Sequence, residues 1–159
     1  MNPSRFQIRI APGALVVSLS EDCITDIDLR TIPQPGLPTA TTASEKRIAH
    51  ELATYFDDAA APLRWPLHFG GSDFQQRVWQ ALRAIPVGRV RTYGELAGEV
   101  GGCAQAVGNA CRQNPIPIYI PCHRVVAKTG IGGFAGKTAG PRIELKRWLL
   151  RHEGVTLPA

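Results

Sequence analysis

The chain has 159 residues, 44% hydrophobic and 19% charged, a composition typical of one sizeable globular core or two small units packed together. No apolar run approaches the roughly 18–20 residues that span a bilayer, and the first residues lack the hydrophobic core of a signal peptide. The four cysteines form no CxxC pair and no disulfide-like cluster, which predicts a reducing, cytoplasmic location without membrane association.

Positive charge is concentrated in the second part of the chain. The net charge is +5, yet six Lys and Arg stand against eight Asp and Glu up to residue 65. From residue 66 onward, twelve basic residues stand against five acidic ones. A solvated basic surface is the simplest explanation of such a surplus, but its asymmetry favours a nucleic-acid partner for the second part.

The first part, residues 1–65, predicts a structural domain with a small antiparallel sheet and one helix. Its short β-favouring runs lie at 6–10, 14–19 and 23–29. A loop rich in Pro and Thr follows, and Thr42 and Glu45 then have the spacing of a capping box ahead of an amphipathic helix. No reactive group of side chains assembles in this part.

The second part, residues 66–159, predicts mainly helices. Capping-box spacing recurs at Ser72 with Gln75 and at Thr92 with Glu95, and each pair opens a helix. The second of these helices is followed by Gly101-Gly102 and by a helix over 103–113, a helix-turn-helix pattern that packed helical hairpins also show. A last, basic helix is predicted over 141–152, with Lys146 among its basic residues.

Small side chains dominate the predicted helix 103–113. Small residues can serve tight packing between helices. Here they cover two faces of a short helix, and core packing cannot explain both faces, so the pattern favours a surface that closely approaches a partner. They are Ala104, Ala106, Gly108, Asn109 and Ala110.

The sequence Ile120-Pro121-Cys122-His123-Arg124 is the strongest chemical signal. The β-favouring run before Pro121 predicts a strand that ends at the cysteine. Positive neighbours favour the thiolate, which is the nucleophilic form. Free cysteines are also among the most buried residues, so Cys122 alone is equally consistent with a core position.

A nucleophilic Cys122 needs a proton acceptor, and His123 is the nearest one in sequence. Neighbours on an extended strand point to opposite faces, so a water molecule would have to link the two side chains. A carboxylate would orient the histidine, and only Glu144 and Glu153 follow residue 120. Glu153, at a helix end, is the better candidate, although an exposed charge is the simpler interpretation. Cysteine spacings of 80, 8 and 11 residues do not fit a zinc site, so no metal is expected.

Several motifs in order resemble the O6-alkylguanine-DNA alkyltransferase family, over about half of the chain. They are Phe74-Gln75-Gln76-Arg77-Val78-Trp79, Pro86-x-Gly88, Thr92-Tyr93-Gly94-Glu95-Leu96-Ala97, Ala106-Val107-Gly108, Asn114-Pro115, Ile120-Pro121-Cys122-His123-Arg124-Val125 and Lys146-x-Trp148-Leu149-Leu150-x-x-Glu153-Gly154. The resemblance implies an α/β (α+β) protein, with a C-terminal, mostly helical, winged-helix-like DNA-binding domain.

The resemblance also implies an activity and its catalytic residues. Cys122 would take the alkyl group from O6-alkylguanine in a single, irreversible displacement after the base is flipped out of double-stranded DNA. His123, through water, and Glu153 would generate the thiolate. Tyr93 would donate its hydroxyl to N3 of guanine, and Asn114 would brace the active-site segment. The reaction would need no cofactor, and the protein would act as a monomer.

Binding residues follow from the same resemblance. Carbonyls of Cys122 and Val125 would accept the exocyclic amine of guanine, and the segment with Phe134, Ala135 and Gly136 would line the base pocket. The helix 103–113 would enter the minor groove. The DNA contacts implied are Gln75, Tyr93, Gly94, Gln105, Ala106, Gly108, Asn109, Arg112 and Lys128.

The chain departs from the family pattern at a few points. Gln105 stands where the family usually has an arginine that replaces the flipped base in the stack, and glutamine lacks the planar cation. Phe134 stands where tyrosine is common, and the segment between Tyr93 and Ala106 is short. The alternative function is therefore a catalytically weak or non-catalytic sensor of alkylguanine, against which the presence of Cys122 counts.

Two other classes of function fit the sequence less well. A Cys-His hydrolase or acyltransferase would need an oxyanion hole and a small-molecule pocket, for which the basic second part gives no reason. A plain DNA-binding regulator would carry base-reading side chains on the helix 103–113, where alanine and glycine predominate.

Overall fold

A computed structural model describes residues 4–132 and 140–156, and the chain divides into two compact units, Met1–Phe69 and Gly70–Ala159. The sequence-based boundary at residue 65 lies slightly before this division. Backbone hydrogen bonds of 2.9 Å explain the difference, because the N–H of Ile24 donates to Pro66 and the N–H of His68 donates back to Ile24. Residues 66–68 thus pair alongside a strand of the first unit.

The first unit contains a three-stranded antiparallel sheet in the order β1-β2-β3, as the sequence predicts. Its strands are β1 (Ser4–Ile10), β2 (Gly13–Ser20) and β3 (Cys23–Arg30). Helix α1 (Ala43–Asp57) contributes Ile48, Leu52 and Tyr55 to the core. From the sheet come Phe6, Leu15, Val17, Leu19, Ile24, Ile27 and Leu29.

The capping box at the start of α1 is confirmed. The Thr42 hydroxyl accepts from the N–H of Glu45 at 3.1 Å, and Glu45 Oε1 accepts from the N–H of Thr42 at 3.1 Å. The same oxygen accepts from the N–H of Thr41 at 2.9 Å, so the Glu45 carboxylate is buried but well satisfied. The predicted capping boxes at Ser72 and Thr92 are also formed.

The second unit is mainly helical. Its helices are α2 (Asp73–Arg83), α3 (Tyr93–Val100), α4 (Ala104–Arg112) and α5 (Pro141–His152). Two short strands, β4 (Arg91–Thr92) and β5 (Val125–Val126), pair in parallel. The indole of Trp79 on α2 donates to the carbonyl of Ala110 on α4 at 2.9 Å, which ties the two helices together inside the core.

The turn between α3 and α4 requires two glycines. Gly101 ends α3 with φ 82°, a left-handed conformation that glycine adopts without a steric penalty. A Cβ at Gly102 would lie 2.7 Å from the Phe74 ring, so the turn packs closely against α2. The predicted helix-turn-helix is therefore present, and the two units together confirm the α/β (α+β) class.

The predicted strand before Cys122 is wrong. Residues 115–120 form turns, in which the N–H of Ile120 donates to the carbonyl of Ile116 at 2.9 Å. Cys122–Arg124 then form one turn of 3-10 helix. Prolines at 115 and 117 remove two backbone donors, which outweighs the strand preference of the isoleucines between and after them. In the described residues, no helix has both the length and the apolar character to cross a bilayer.

Candidate active site

Cys122 is the first residue of the 3-10 turn that leads into β5. Its side chain is buried, with 7% of the residue exposed. The parallel pairing sets Arg91 beside Val125, and Tyr93 directly follows β4. The side chains of Tyr93 and Cys122 lie close enough to influence each other's ionisation, although 29 residues separate them in sequence.

The segment before Cys122 is strained and held by one asparagine. Ile118 is buried at φ 77°, a conformation that is an outlier for a β-branched residue and costs on the order of 1–3 kcal/mol. The Asn114 amide donates to the carbonyl of Ile120 at 2.7 Å, and its oxygen accepts from the N–H of Ile116 at 2.9 Å. Asn114 is therefore placed to brace the segment.

Glu153 joins His123 and Arg124 in a buried cluster. Nε2 of His123 lies 2.9 Å from Glu153 Oε2, and Nε of Arg124 donates to Glu153 Oε1 at 2.8 Å. A further nitrogen of Arg124 donates to Glu153 Oε2 at 2.9 Å, and another donates to the carbonyl of Ile85 at 2.6 Å. The carboxylate is thus buried and shared, rather than exposed. Arg124 neutralises Glu153 instead of facing the thiol alone.

His123 is neutral in this cluster. Burial lowers the pKa of His123 below its usual 6.5, although its hydrogen bond to Glu153 works in the opposite direction. In the neutral ring, Nε2–H donates to the carboxylate, which leaves the lone pair on Nδ1. His123 is therefore equipped to accept a proton at Nδ1.

Burial raises the pKa of the Cys122 thiol above its ordinary value, against the effects of the Asn114 hydrogen bond and of the Lys146 charge. The resting cysteine is thus mainly a thiol, because desolvation penalises the thiolate. Any reaction as a nucleophile requires a nearby base and nearby positive charge to offset this penalty.

Lys146 is the main residue of this region that the sequence does not single out. The sequence counts it only among the basic residues of the last helix, but its side chain is fully buried and donates to the carbonyl of Val125 at 2.6 Å. The amphipathic pattern gave a weak signal, since Lys146 directly follows the core residue Leu145 and precedes Leu149 by three positions. Lysine side chains are almost never fully buried in proteins, so a sequence alone predicts an exposed position for a lysine.

Tyr93 packs closely against Gly132. A Cβ at Gly132 would lie 3.0 Å from the Tyr93 ring and 3.4 Å from its hydroxyl. Burial, with the nearby thiols of Cys111 and Cys122, raises the pKa of Tyr93 well above its usual 10. The hydroxyl accordingly stays protonated and able to donate at physiological pH. The predicted pocket residues Phe134, Ala135 and Gly136 lie outside the described residues.

The predicted DNA-contact residues are distributed over several elements of the second unit. On α4, Gln105, Asn109 and Arg112 are exposed, and a Cβ at Gly108 would meet nothing within 4 Å. The remaining predicted contacts differ in exposure: Gly94 and Lys128 are exposed, whereas Ala106, Tyr93 and Gln75 are partly buried. The Gln75 oxygen accepts from the N–H of Ser72 at 3.0 Å, so part of this side chain already serves as a helix cap.

In the ranges 4–132 and 140–156, no three His, Cys, Asp or Glu side chains are grouped so as to hold a metal ion. The four cysteines at positions 23, 103, 111 and 122 are free thiols. The reactive side chains described in this region are the Cys122 thiol and the His123 imidazole, with Arg124, Lys146 and Glu153 buried in the same unit.

Comparison with known proteins places these residues in a known family. The family model described as 6-O-methylguanine DNA methyltransferase, DNA binding domain, matches residues 73–155, just over half of the chain. The methylated-DNA–protein-cysteine methyltransferase of Salmonella typhimurium is 53% identical over 126 residues, covering 77% of this chain and 71% of that protein. The corresponding protein of Saccharolobus islandicus is 40% identical, covering 69% of each chain.

Solved structures agree with this assignment. The O6-methylguanine methyltransferase of Mycobacterium tuberculosis superposes with a TM-score of 0.80 and 34% identity, covering 99% of this chain and 96% of that one. A structure of the Mycobacterium tuberculosis protein in complex with DNA gives a TM-score of 0.78 and 33% identity, covering 94% and 92%. The chain belongs to the O6-methylguanine-DNA methyltransferase family.

Proposed function

We propose that this protein repairs O6-alkylguanine in double-stranded DNA by transferring the alkyl group, once and irreversibly, to Cys122. The observation that carries the proposal is the buried Cys122 directly preceding a His123 that is bonded to Glu153 at 2.9 Å. These residues lie in the same unit as the helix-turn-helix. Relatives named methylated-DNA–protein-cysteine methyltransferase, up to 53% identical, support the same reaction.

Thiolate formation is the first step of the proposed reaction. His123 receives the Cys122 proton at Nδ1 through a water molecule, while Glu153 holds Nε2–H and stabilises the imidazolium. Arg124 keeps the carboxylate in place through two hydrogen bonds. The triad thus supplies the base that a thiol with a raised pKa requires.

Displacement at the alkyl carbon follows. The Cys122 sulfur forms a bond to this carbon as the bond from carbon to guanine O6 breaks, and the electron pair remains with guanine. Tyr93 donates its hydroxyl to guanine N3, so the leaving base avoids a full negative charge. The thioether has no route back to a thiol in this scheme. Each protein molecule therefore acts once.

The small side chains of α4 suit close approach to a groove. Proteins that enter the minor groove need room, and sequence-independent binding rests on the phosphates. The exposed Arg112 supplies positive charge at the end of α4. Gly108 adds no side chain to the surface of this helix, so another surface can approach it closely. We propose that α4 is the helix that enters the minor groove, with Gln105 filling the space that the flipped base leaves.

We further propose a monomer in a reducing, cytoplasmic setting. The residues of the proposed mechanism all come from one unit of one chain, so the reaction requires no second copy. A free Cys122 thiol is essential to the reaction, and reducing conditions preserve it. Light scattering of the purified protein, with and without a short duplex, tests the monomer.

The test of the function is methyl transfer from a duplex that contains one O6-methylguanine. Intact mass spectrometry should show one added methyl group on the wild type and none on Cys122→Ser. Cys23→Ser is the matched control, since it removes a free thiol from the first unit, and it should be methylated like the wild type. A wild type that binds the lesion tightly but stays unmodified would overturn transfer and favour a lesion sensor.

A further inference from the structure

A buried lysine stands beside the proposed nucleophile. Lys146 is fully buried on α5, and its ammonium donates to the carbonyl of Val125 at 2.6 Å. The same nitrogen lies 5.8 Å from the centroid of the Tyr93 ring. The ammonium of Lys146 therefore lies between the backbone three residues after Cys122 and the ring of Tyr93.

Burying an ammonium is costly, so its surroundings should compensate for the charge. Burial lowers the pKa of Lys146 to about 8, while the thiols of Cys122 and Cys111 oppose this effect. In return, Lys146 is among the groups that lower the pKa of Cys122. The two side chains are thus close enough to influence each other's ionisation.

The neighbouring cations are engaged elsewhere. Arg124 is bound by both oxygens of Glu153, so its charge is largely balanced by that carboxylate. His123 is neutral, because burial lowers its pKa. Among these three buried basic side chains, the charge of Lys146 has the clearest electrostatic effect on Cys122.

We propose that Lys146 is a positioning residue that stabilises the Cys122 thiolate by its charge and fixes the Val125 carbonyl beside it. The proposal rests on Cys122 being the nucleophile, and it adds a second, independent source of activation to the base His123. Val125 retains a second lone pair on its carbonyl oxygen, so the bond from Lys146 leaves room for a guanine amine.

The expected kinetic signature has two parts. Removing the charge should raise the pKa of Cys122 and so reduce the thiolate fraction at neutral pH. A thiolate of higher pKa is intrinsically more nucleophilic, with a Brønsted coefficient of about 0.4–0.5. A shift of one unit should therefore lower the neutral rate about threefold and raise the limiting rate at high pH by a similar factor.

Alkylation by iodoacetamide measures this signature without DNA, so it is independent of the true substrate. The sulfur forms a bond to the reagent's methylene carbon, and iodide leaves. Peptide mass spectrometry follows Cys122 as a function of pH, with the exposed Cys103 as a reference in the same sample. Lys146→Met and Lys146→Gln should both raise the midpoint by one unit or more, and only the latter retains a donor for Val125.

The charge-retaining Lys146→Arg should keep the midpoint near that of the wild type. Arg147→Met is the matched control, because Arg147 is partly exposed on the same helix and pairs with Glu144 at 3.5 Å, and it should change nothing. An unshifted midpoint in both neutral variants, or an equal loss of rate at every pH, would reduce Lys146 to a structural role.

The wild type offers a second test that no misfolded variant can obscure. In an NMR titration, the Lys146 side-chain resonances should show a second step at the pH where Cys122 ionises, and this step should vanish once Cys122 is carboxamidomethylated. Absence of that step in the unmodified protein would overturn the proposal. Failure of methyl transfer from DNA with a normal result here would instead contradict only the proposed substrate.

Discussion

The two units place buried charge in opposite ways. In the first, Glu45 is the buried charged residue of the described part, and its oxygens accept from Thr41 and Thr42 at the start of α1. In the second, His123, Arg124, Lys146 and Glu153 are all buried around one thiol. A single buried charge bonded to its own chain neighbours caps a helix, whereas several drawn from distant segments make a reactive site.

Removing one carboxylate from each unit should give the largest contrast. Glu153→Gln leaves Arg124 buried without its counter-charge, a change that costs about 3–5 kcal/mol. Glu45→Gln keeps the oxygen of a capping box and should cost less than about 1 kcal/mol. Urea denaturation followed by tryptophan fluorescence measures both. Equal losses would show that the Glu153 cluster is no more demanding than an ordinary cap.

The pH dependence of stability should reveal the buried ammonium. The pKa of Lys146 is lowered from 10.5 to about 8, so between these values the unfolded chain binds more protons than the folded one. The penalty for burying the charge is thus fully present below pH 8 and is relieved as the pH rises toward 10.5. Measured against Lys146→Met, the wild type should gain roughly 3 kcal/mol over this window.

The free energy of unfolding of the wild type should be compared with that of Lys146→Met rather than taken alone. The raised pKa values of Cys122 and Tyr93 lower the stability of the folded protein at high pH, which opposes the gain from Lys146. The contribution of Tyr93 is present in both proteins, and the higher Cys122 pKa expected in Lys146→Met destabilises that variant further at high pH, so it changes the difference in the same direction as the predicted gain. A difference that stays constant with pH would mean that the Lys146 ammonium is solvated in the folded protein and keeps the pKa of the unfolded chain.

The sequence predicts the elements that depend on near neighbours. The capping boxes at Thr42, Ser72 and Thr92 are three-residue patterns, and all three form. The meander follows from alternating short runs and turn residues. In each of these cases the residues that determine the structure are adjacent in the chain.

Long-range placement accounts for what the sequence does not predict. Arg124 and Glu153 meet across 29 residues, and nothing local distinguishes their pairing from two exposed charges. Lysine is usually a surface residue, but Lys146 is buried because α5 packs against the 3-10 turn at Cys122. The isoleucines before Cys122 favour a strand locally, yet Asn114 and two prolines turn the segment and leave Ile118 at φ 77°.

Helix α4 extends the contrast, because it lacks the side-chain cap that α1 has. Gly108→Ala should stabilise the protein by about 0.5–1 kcal/mol, since an added Cβ meets nothing within 4 Å. It should also weaken binding to duplex DNA, because the methyl group stands on the surface that approaches the groove. Ala53→Gly, the reverse substitution at an exposed position of α1, is the control. It should lower the stability of the protein and leave its affinity for duplex DNA unchanged. Unchanged DNA affinity in Gly108→Ala would remove α4 from the interface.

A smaller effect is expected at Gln105, exposed in the first turn of α4. Gln105→Arg should raise the rate with methylated duplex a few fold, since a planar cation stacks better in the vacated space. The rate with free O6-methylguanine base should stay nearly constant. Equal acceleration of both reactions would separate Gln105 from base flipping.

Single-turnover transfer to Cys122 is tested most directly by where the methyl group goes and how many are transferred per protein. The protein should be incubated with excess duplex carrying isotopically labelled O6-methylguanine, and the label mapped by peptide mass spectrometry. We expect one equivalent of label per protein, all of it on Cys122, with Cys23, Cys103 and Cys111 unlabelled. Label on another residue, or more than one guanine restored per protein, would contradict the account.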